Sequence, residues 1–212
     1  MVSTQSGTGL LVVWTDVAPE YEAEFNRWYD NEHIPQLVGI PGFLSGRRYQ
    51  AVDGKPKYIA IYDLSDESVL KSDAFREGRD NPTPWSRKII PQFRNTQIGA
   101  FRQIFAHGAR PGRDAEFVLT VRLNTPADHE AEFNAWYNED HVPALAAVPG
   151  VYCARRYVAV EGDPKYLAIY EMREGGIPKT SEWNRARDFG RTAQIRPHLK
   201  DLQTVVARRI LP

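Results

Sequence analysis

The amino-acid sequence contains one segment twice, and this duplication constrains the possible folds more than any other feature. The motif Glu-Ala-Glu-Phe-Asn-x-Trp-Tyr-x-x-x-His-x-Pro spans residues 22–35 and returns at residues 130–143, an offset of 108 positions. At the same offset, more than half of residues 22–64 are identical to their counterparts in residues 130–172, without a gap. A repeat of about 100 residues has the usual size of a domain, so the chain is predicted to contain two copies of one folding unit.

The composition argues against several classes of protein. The 212 residues are 42% hydrophobic and 25% charged, which is close to the average for globular proteins and gives no sign of disorder. Lys and Arg together number 27, as do Asp and Glu, so no net positive field would attract nucleic acid or an anionic membrane. No apolar run approaches the ~20 residues of a membrane-spanning helix, and no secretory signal is recognisable. We therefore expect a cytoplasmic protein without nucleic-acid or membrane partners.

Each copy shows the same succession of strand and helix patterns. In the first copy, an apolar strand at residues 10–14 precedes a helix that should end near His33, because Pro35 disfavours the helical conformation of the residue before it. A β-hairpin at residues 43–64, a second helical stretch and a last strand at residues 99–105 complete the unit. The second copy repeats this order, so both halves are predicted to be βαββαβ units.

This order of elements is that of the ferredoxin-like fold. We place the first unit at residues 1–106 and the second at residues 116–212, with a linker at residues 107–115 that is rich in Gly, Pro and charged side chains. Together with the helix motif Trp-Tyr-x-x-x-His-x-Pro, the order resembles the dimeric α+β barrel superfamily, and within it the EthD-like branch. The resemblance implies an α+β fold in which the antiparallel sheets of two tandem ferredoxin-like units pack face to face. It also implies a possible homodimer.

The duplicated helix motif supplies the leading catalytic residues. In each copy, an acidic residue, a histidine and three aromatic residues share one face of a helix: Phe25, Trp28, Tyr29, Glu32 and His33, and then Phe133, Trp136, Tyr137, Asp140 and His141. An imidazole can take or deliver a proton near neutral pH, and a neighbouring carboxylate or phenol can fix its tautomer. The predicted catalytic residues are therefore His33, His141, Tyr29 and Tyr137, while Trp28 and Trp136 would contact the substrate. The alternative is a structural histidine that bonds a loop carbonyl at the helix end.

The hairpins supply the predicted substrate-binding residues. Consecutive arginines on a strand face opposite sides of the sheet, one toward the helices and one toward the space between the sheets. The arginine on the helix side would hold an anionic oxygen of the substrate or pair with Glu32. On the returning strand, two tyrosines flank an alanine and would suit a flat, partly polar molecule. The residues concerned are Arg48, Tyr58 and Tyr62 in the first copy and Arg156, Tyr166 and Tyr170 in the second.

Other reactive residue types indicate little chemistry. The only cysteine, Cys153, has Ser45 at the matching position and is interpreted as a packing residue. The sequence contains no glycine-rich phosphate loop, nucleophile elbow, dinucleotide fingerprint or set of metal ligands with suitable spacing. We therefore predict no cofactor and no metal. Some members of the superfamily that the chain resembles ligate haem through histidine, so the resemblance leaves haem open.

These observations favour a cofactor-independent enzyme that moves protons on a small cyclic or aromatic-derived organic acid or ketone, as an isomerase, lyase or cyclase. The resemblance implies a second possibility, which is a cofactor-free monooxygenase of phenolic substrates. A third is a non-catalytic ligand-binding or stress-associated protein whose repeat persists because two halves must pair. For the two enzymes the expected partner is a small-molecule substrate.

Overall fold

Strands and short helices follow one another in the same order in both halves of the chain. The computed structural model describes residues 7–109 and 115–210, here termed the first half and the second half. The strands of the first half are β1 (Gly9–Val17), β2 (Phe43–Asp53), β3 (Tyr58–Leu64) and β4 (Phe93–His107). Those of the second half are β5 (Phe117–Asn124), β6 (Val151–Glu161), β7 (Tyr166–Met172) and β8 (Lys200–Ile210).

The helices are short and occupy the same two places in each half. The first half has α1 (Glu22–Trp28), α2 (Ile34–Val38), α3 (Asp73–Asp80) and α4 (Pro84–Ile89). The second half has α5 (Glu130–Trp136), α6 (Val142–Ala146), α7 (Ser181–Arg187) and α8 (Thr192–Ile195). The side-chain hydroxyls of Ser72, Thr83 and Thr180 accept backbone N–H groups at the starts of α3, α4 and α7. These caps define where the outer helices begin.

A single π-helical turn joins α1 to α2, and another joins α5 to α6. The turns cover Tyr29–His33 and Tyr137–His141, and the N–H group after each histidine bonds to the tyrosine carbonyl five residues earlier. The expectation that the helix ends near His33 is therefore wrong, because helical structure continues to Val38. A π turn contains one residue more than the usual hydrogen-bonded turn, which gives the chain room to pass Pro35.

The strands of the described residues form one closed antiparallel barrel. Around the barrel they follow the order β1-β3-β2-β8-β5-β7-β6-β4, and β4 pairs with β1 to complete the circle. The halves meet at two seams, where β2 pairs with β8 and β4 pairs with β6. The prediction of an α+β fold built on an antiparallel barrel is thereby confirmed.

The last strand of each half is longer than the sequence pattern indicates. β4 begins at Phe93 rather than at residue 99, and its counterpart β8 begins at Lys200, soon after the last 3-10 turn. The additional residues are mostly exposed, although they pair with β1 and β5. Exposed strand residues show no alternation of apolar and polar side chains, so their pattern does not reveal the strand.

Three groups of buried side chains hold the elements together. The inner group fills the barrel and combines residues of both halves, among them Trp14, Phe101, Tyr157 and Val205. The other two groups pack the helices of each half against the outer face of its own strands. The barrel interior therefore couples the two halves, whereas each helical layer belongs to one half.

Four of the charged side chains buried inside the barrel form one network. Arg47 donates to Asp63 at 2.5 Å and lies 3.6 Å from Glu171 of the other half. Arg155 forms an ion pair with the same Glu171, and all four side chains are less than a tenth exposed. Because the interior weakly screens charge, these two guanidinium groups are strongly stabilised by the carboxylates beside them. Glu171 therefore serves two guanidinium groups and links the halves.

The predicted linker at residues 107–115 falls mostly on residues 110–114, which lie outside the described residues. The domain boundaries at residues 106 and 116 accordingly stay predictions. In the two described ranges, no helix combines the length and the apolar character that crossing a membrane requires.

Replacement of Glu171 by Gln should lower the free energy of unfolding by about 3 kcal/mol, because two buried guanidinium groups then lose their shared carboxylate. The control is Glu174→Gln, which removes an exposed partner of Arg173 and should cost less than about 1 kcal/mol. Urea denaturation at neutral pH measures both values. Equal destabilisation by the two substitutions would contradict the role assigned to the buried network.

Candidate functional site

In each half, the duplicated histidine ends the π turn and lies between the helices and the outer face of the sheet. The ring centroid of His33 lies 4.3 Å from that of Trp28, which it stacks upon, and 5.1 Å from that of Tyr29, which it meets edge to face. The corresponding distances around His141 are 4.4 Å and 5.0 Å. The motif thus surrounds each imidazole with two aromatic rings.

Hydrogen bonds fix the indole rings beside the imidazoles. Trp28 Nε1 donates to Ser86 Oγ at 3.1 Å and to Glu32 Oε1 at 3.0 Å. Trp136 Nε1 donates to Thr192 Oγ1 at 3.1 Å. Both indoles are almost completely buried, and each supports one face of the imidazole that packs on it.

The acidic residues of the motif do not hydrogen-bond the histidines, contrary to the expectation that they fix the tautomer. Glu32 accepts hydrogen bonds from Trp28 and from two hydroxyl groups at the start of α4. Asp140 accepts a hydrogen bond of 2.8 Å from Arg191 Nε. Glu32 therefore links its π turn to the start of α4, and Asp140 links its π turn to the start of α8.

The arginine on the helix side of the first hairpin is held by the helix that carries the motif. Arg48 Nη1 lies 2.8 Å from Asp30 Oδ1, and Nη2 lies 2.5 Å from Asn26 Oδ1. The guanidinium also lies 4.4 Å from the centroid of the Tyr29 ring, over its face. The internal carboxylate is therefore Asp30, and the expected pairing with Glu32 is wrong.

Arg156 has the same geometry without a carboxylate. Its Nη1 donates to Asn138 Oδ1 at 2.6 Å, its Nη2 donates to Asn134 Oδ1 at 2.8 Å, and its guanidinium lies 4.1 Å from the centroid of Tyr137. Asn138 takes the place that Asp30 has in the first half. Arg156 is 1% exposed, and burial lowers the pKa of its guanidinium. Among the described residues, no carboxylate pairs with this buried charge.

The four strand tyrosines have two kinds of surroundings. Tyr58 and Tyr166 each donate the hydroxyl to the glutamate that begins α1 or α5. Tyr62 and Tyr170 lie farther along their strands and are fully buried, and burial raises the pKa of both phenols well above its usual value. The ring centroid of Tyr62 lies 6.4 Å from that of His33. Tyr62 therefore lies near His33, whereas Tyr58 is bound to the start of α1.

A cavity of about 700 Å³ lies beside His141 and is termed the second-half cavity. Four of the predicted site residues line it: Trp136, Tyr137, His141 and Tyr170. Arg156 and Tyr166 are not part of the lining. Apolar side chains of β5 and β8, including Leu119 and Val206, contribute to the wall. The volume lies within the range of ~300–1,000 Å³ that is typical of small-molecule sites.

The first half has a larger side chain at a position that borders the cavity in the second. Phe93 follows a 3-10 turn and lies parallel to the Tyr29 ring, with centroids 6.3 Å apart. In the second half, Leu199 follows the equivalent 3-10 turn and lines the second-half cavity. Phe93 therefore packs on Trp28 and Tyr29, the two aromatic residues that contact His33, and its ring is larger than the Leu199 side chain.

Burial makes both imidazoles difficult to protonate. The pKa of His33 and that of His141 fall from 6.5 to about 4, mainly because the charged form would be desolvated. For His141, the positive charges of Arg156, Arg196 and Arg187 lower the pKa further. Nδ1 of His141 is buried and has no hydrogen-bond partner among the described residues. At neutral pH the second-half cavity therefore contains an uncharged imidazole that can accept a proton.

Three basic residues outside the repeated motifs also line the second-half cavity: Lys179, Arg187 and Arg196. Arg196 begins a 3-10 turn, and the first half has Ile90 at that position. Arg196 is not identical to its counterpart, so the repeat does not indicate a role for it. The available signal is the difference between the copies, because a charged Arg196 stands where the first half has the apolar Ile90.

The remaining histidines and the cysteine lie elsewhere. Cys153 is buried, with its Sγ 3.8 Å from Arg155 Nη1, and His129 stacks on His198 with ring centroids 3.6 Å apart. None of these residues lines the second-half cavity. Within the described parts of the chain, no group of three or more His, Cys, Asp or Glu side chains could hold a metal ion.

Comparison with known proteins finds structural relatives only. No family model and no curated protein sequence matches the chain. An anthrone oxidase-like protein is 13% identical, with a TM-score of 0.68 over 100% of this chain and 94% of that chain. A monooxygenase candidate from Fusobacterium nucleatum subsp. nucleatum is 10% identical, with a TM-score of 0.63 over 98% of this chain and 94% of that chain.

A third relative is the chlorite dismutase from Candidatus Nitrospira defluvii. It is 11% identical, with a TM-score of 0.64 over 98% of this chain and 93% of that chain. Identities this low show the fold and not the activity. The likeness shows that the present chain shares the fold of these three proteins.

Proposed function

We propose that the protein is a cofactor-independent enzyme that moves protons on a small cyclic or aromatic-derived organic acid or ketone. The reaction is of the isomerase, lyase or cyclase type and takes place in the second-half cavity. One observation carries the proposal: a neutral imidazole, His141, lines the same partly apolar cavity as two buried phenols, Tyr137 and Tyr170. A base and hydrogen-bond donors around one bound molecule are what proton transfer requires.

His141 is the proposed general base. A neutral imidazole can remove a proton from a carbon next to a carbonyl group or from a hydroxyl group. With a pKa of about 4 it is a weak base in the free protein, partly because three guanidinium groups lie near it. A ligand with negative charge would compensate these groups and raise the pKa of His141. The base therefore becomes stronger when such a ligand is bound.

Tyr137 and Tyr170 are the proposed donors to the substrate oxygen that gains negative charge. Burial raises the pKa of both phenols, so both carry their protons at neutral pH. Arg156 lowers the pKa of both, and its guanidinium lies over the Tyr137 ring. We regard Arg156 as a positioning residue, because it acts through Tyr137 and does not line the cavity.

The architecture supports assigning catalysis to one half. We propose that the barrel consists of two ferredoxin-like units in tandem, related to the EthD-like branch, since the strand order β4-β1-β3-β2 recurs as β8-β5-β7-β6. In the first unit, Asp30 neutralises Arg48, and the Phe93 ring packs on Tyr29, where the second unit has the smaller Leu199. The first unit accordingly keeps the motif as a scaffold, and the second uses it for chemistry.

The substitution His141→Gln should reduce turnover at least about 100-fold, because it removes the base and keeps a side chain of similar polarity. The matched control is His33→Gln at the equivalent position, which should reduce turnover less than about threefold. The measurement is the incorporation of solvent deuterium into a panel of cyclic ketones and aromatic acids, followed by NMR.

The same samples distinguish the alternatives. Equal rates for the wild-type protein and both variants would reject the proposal and favour a non-catalytic ligand-binding protein. A larger loss for His33→Gln would move the active site to the first half.

Haem, which the family resemblance leaves open, would show a Soret absorption band in the purified protein, and such a band would also reject a cofactor-independent mechanism.

On the acid side of the pH profile, the midpoint of kcat/KM should lie far below the pKa of an ordinary histidine. Catalysis needs neutral His141, so kcat/KM rises with pH through the pKa of the free enzyme, which is about 4. An exposed histidine would give a midpoint near ~6.5 instead. An NMR titration of the His141 ring protons measures the same pKa without a substrate. A midpoint near that of an exposed histidine in both measurements would show that the imidazole is not desolvated.

A second function uses the same residues. Two of the structural relatives carry the names of an anthrone oxidase-like protein and a monooxygenase candidate, and a cofactor-free monooxygenase also begins by deprotonating its substrate. His141 would then remove the proton of a phenol. Oxygen consumption with phenolic substrates, lost in His141→Gln and absent without substrate, would favour this function over isomerisation.

A further inference from the structure

We infer that the second-half cavity binds a molecule with a carboxylate group on a flat apolar body, and that Arg196 and Arg187 hold this carboxylate. The inference rests on the proposed function in that it concerns the same cavity. Of the two substrate classes in the proposed function, an organic acid or a ketone, it selects the organic acid. It also places the anion site on residues other than Arg156, the arginine that the sequence motif suggests.

The first argument is an excess of positive charge at one point of the cavity wall. Arg187 Nε donates to Asp188 Oδ1 at 3.2 Å, and Arg196 Nη2 donates to the same oxygen. One carboxylate therefore serves two guanidinium groups, which retain several unused N–H donors. The side chains of Arg187 and Arg196 are about half exposed, at 46% and 53%, so they lie where the cavity reaches the solvent.

The other charged groups of the cavity leave this excess in place. Lys179 and Asp53 both line the cavity and pair with each other at 2.9 Å, so their charges cancel. His141 is neutral because of its low pKa. Arg156 adds a buried positive charge next to Tyr137 without a carboxylate partner among the described residues. A bound carboxylate would balance the charge.

The second argument is that the first half lacks the arrangement. Arg79 in α3 matches Arg187 in α7, and it pairs with the next residue, Asp80, at 2.9 Å, as Arg187 pairs with Asp188. The second guanidinium is absent there, because Ile90 stands where the second half has Arg196. The first half thus has one cation for one carboxylate. Among the described residues, this pairing of two guanidinium groups with one carboxylate occurs at the second-half cavity and not at the matching positions of the first half.

The third argument is the shape of the remaining wall. Trp183 meets Tyr170 edge to face with ring centroids 5.4 Å apart, and both line the cavity. Leu119 and Leu199 add apolar surface. Aromatic and aliphatic side chains around a few polar groups select a flat apolar body, and guanidinium groups select a planar carboxylate by paired hydrogen bonds. An aromatic carboxylate combines the two features.

The test compares two probes of nearly the same shape, the anionic 2-naphthoate and the neutral 2-naphthamide. Their binding is followed through the fluorescence of Trp136 and Trp183, which line the cavity. Wild-type protein should bind the carboxylate at least about tenfold more tightly than the amide, and high salt should reduce this preference. Arg196→Gln should weaken naphthoate binding about tenfold and change naphthamide binding less than about twofold. Arg187→Gln should act in the same direction.

The matched control is Arg79→Gln in the first half, which should leave both affinities unchanged, and circular dichroism verifies that each variant is folded. Equal affinity of wild-type protein for the two probes would overturn the inference. An equal effect of Arg196→Gln on both probes, or no binding of either at millimolar concentration, would also overturn it. Binding is measured without turnover, so a protein that binds naphthoate as described but shows no effect of His141→Gln on any rate would refute the proposed function alone.

Discussion

Closure of the barrel is the constraint on which the rest of the structure depends. A four-stranded sheet of either half alone would expose two strand edges and one apolar face. The pairs β2–β8 and β4–β6 remove these edges, and the barrel interior then encloses the shared core and the Arg47–Asp63–Glu171–Arg155 network. Because the interior is occupied, the helices lie outside, and a ligand site has to form between a helical layer and the outer face of its own strands.

The sequence is sufficient to predict the order of elements and the residues around each histidine. The offset of 108 residues aligns two copies of one unit, and helical periodicity places Trp136, Tyr137 and His141 on one face, as observed. Three features escape this reasoning. The start of β4 consists of exposed residues, the π turn depends on backbone hydrogen bonds, and the partner of Arg48 depends on how the helix is turned over the sheet.

The cavity could not be predicted, because it depends on differences between the copies rather than on their identity. Identical residues form the scaffold of both helical layers, and the replacement of Phe93 by Leu199, of Asp30 by Asn138 and of Ile90 by Arg196 distinguishes the second layer. These three changes give that layer a smaller side chain at the cavity wall, a buried guanidinium without a carboxylate partner among the described residues, and a cation that lines the cavity. A duplicated unit can change in this way when its twin supplies the structural role that both had before.

The two π turns also bear on the history of the chain. Relative to a regular helix, the additional residue in each turn rotates the following segment by about 100°. Such an insertion disturbs the packing of everything after it, so two independent insertions at equivalent positions are improbable. Both copies carry the turn at the same residues of the motif, Tyr29–His33 and Tyr137–His141. The bulge therefore belongs to the repeated motif itself and is not a later change in either copy.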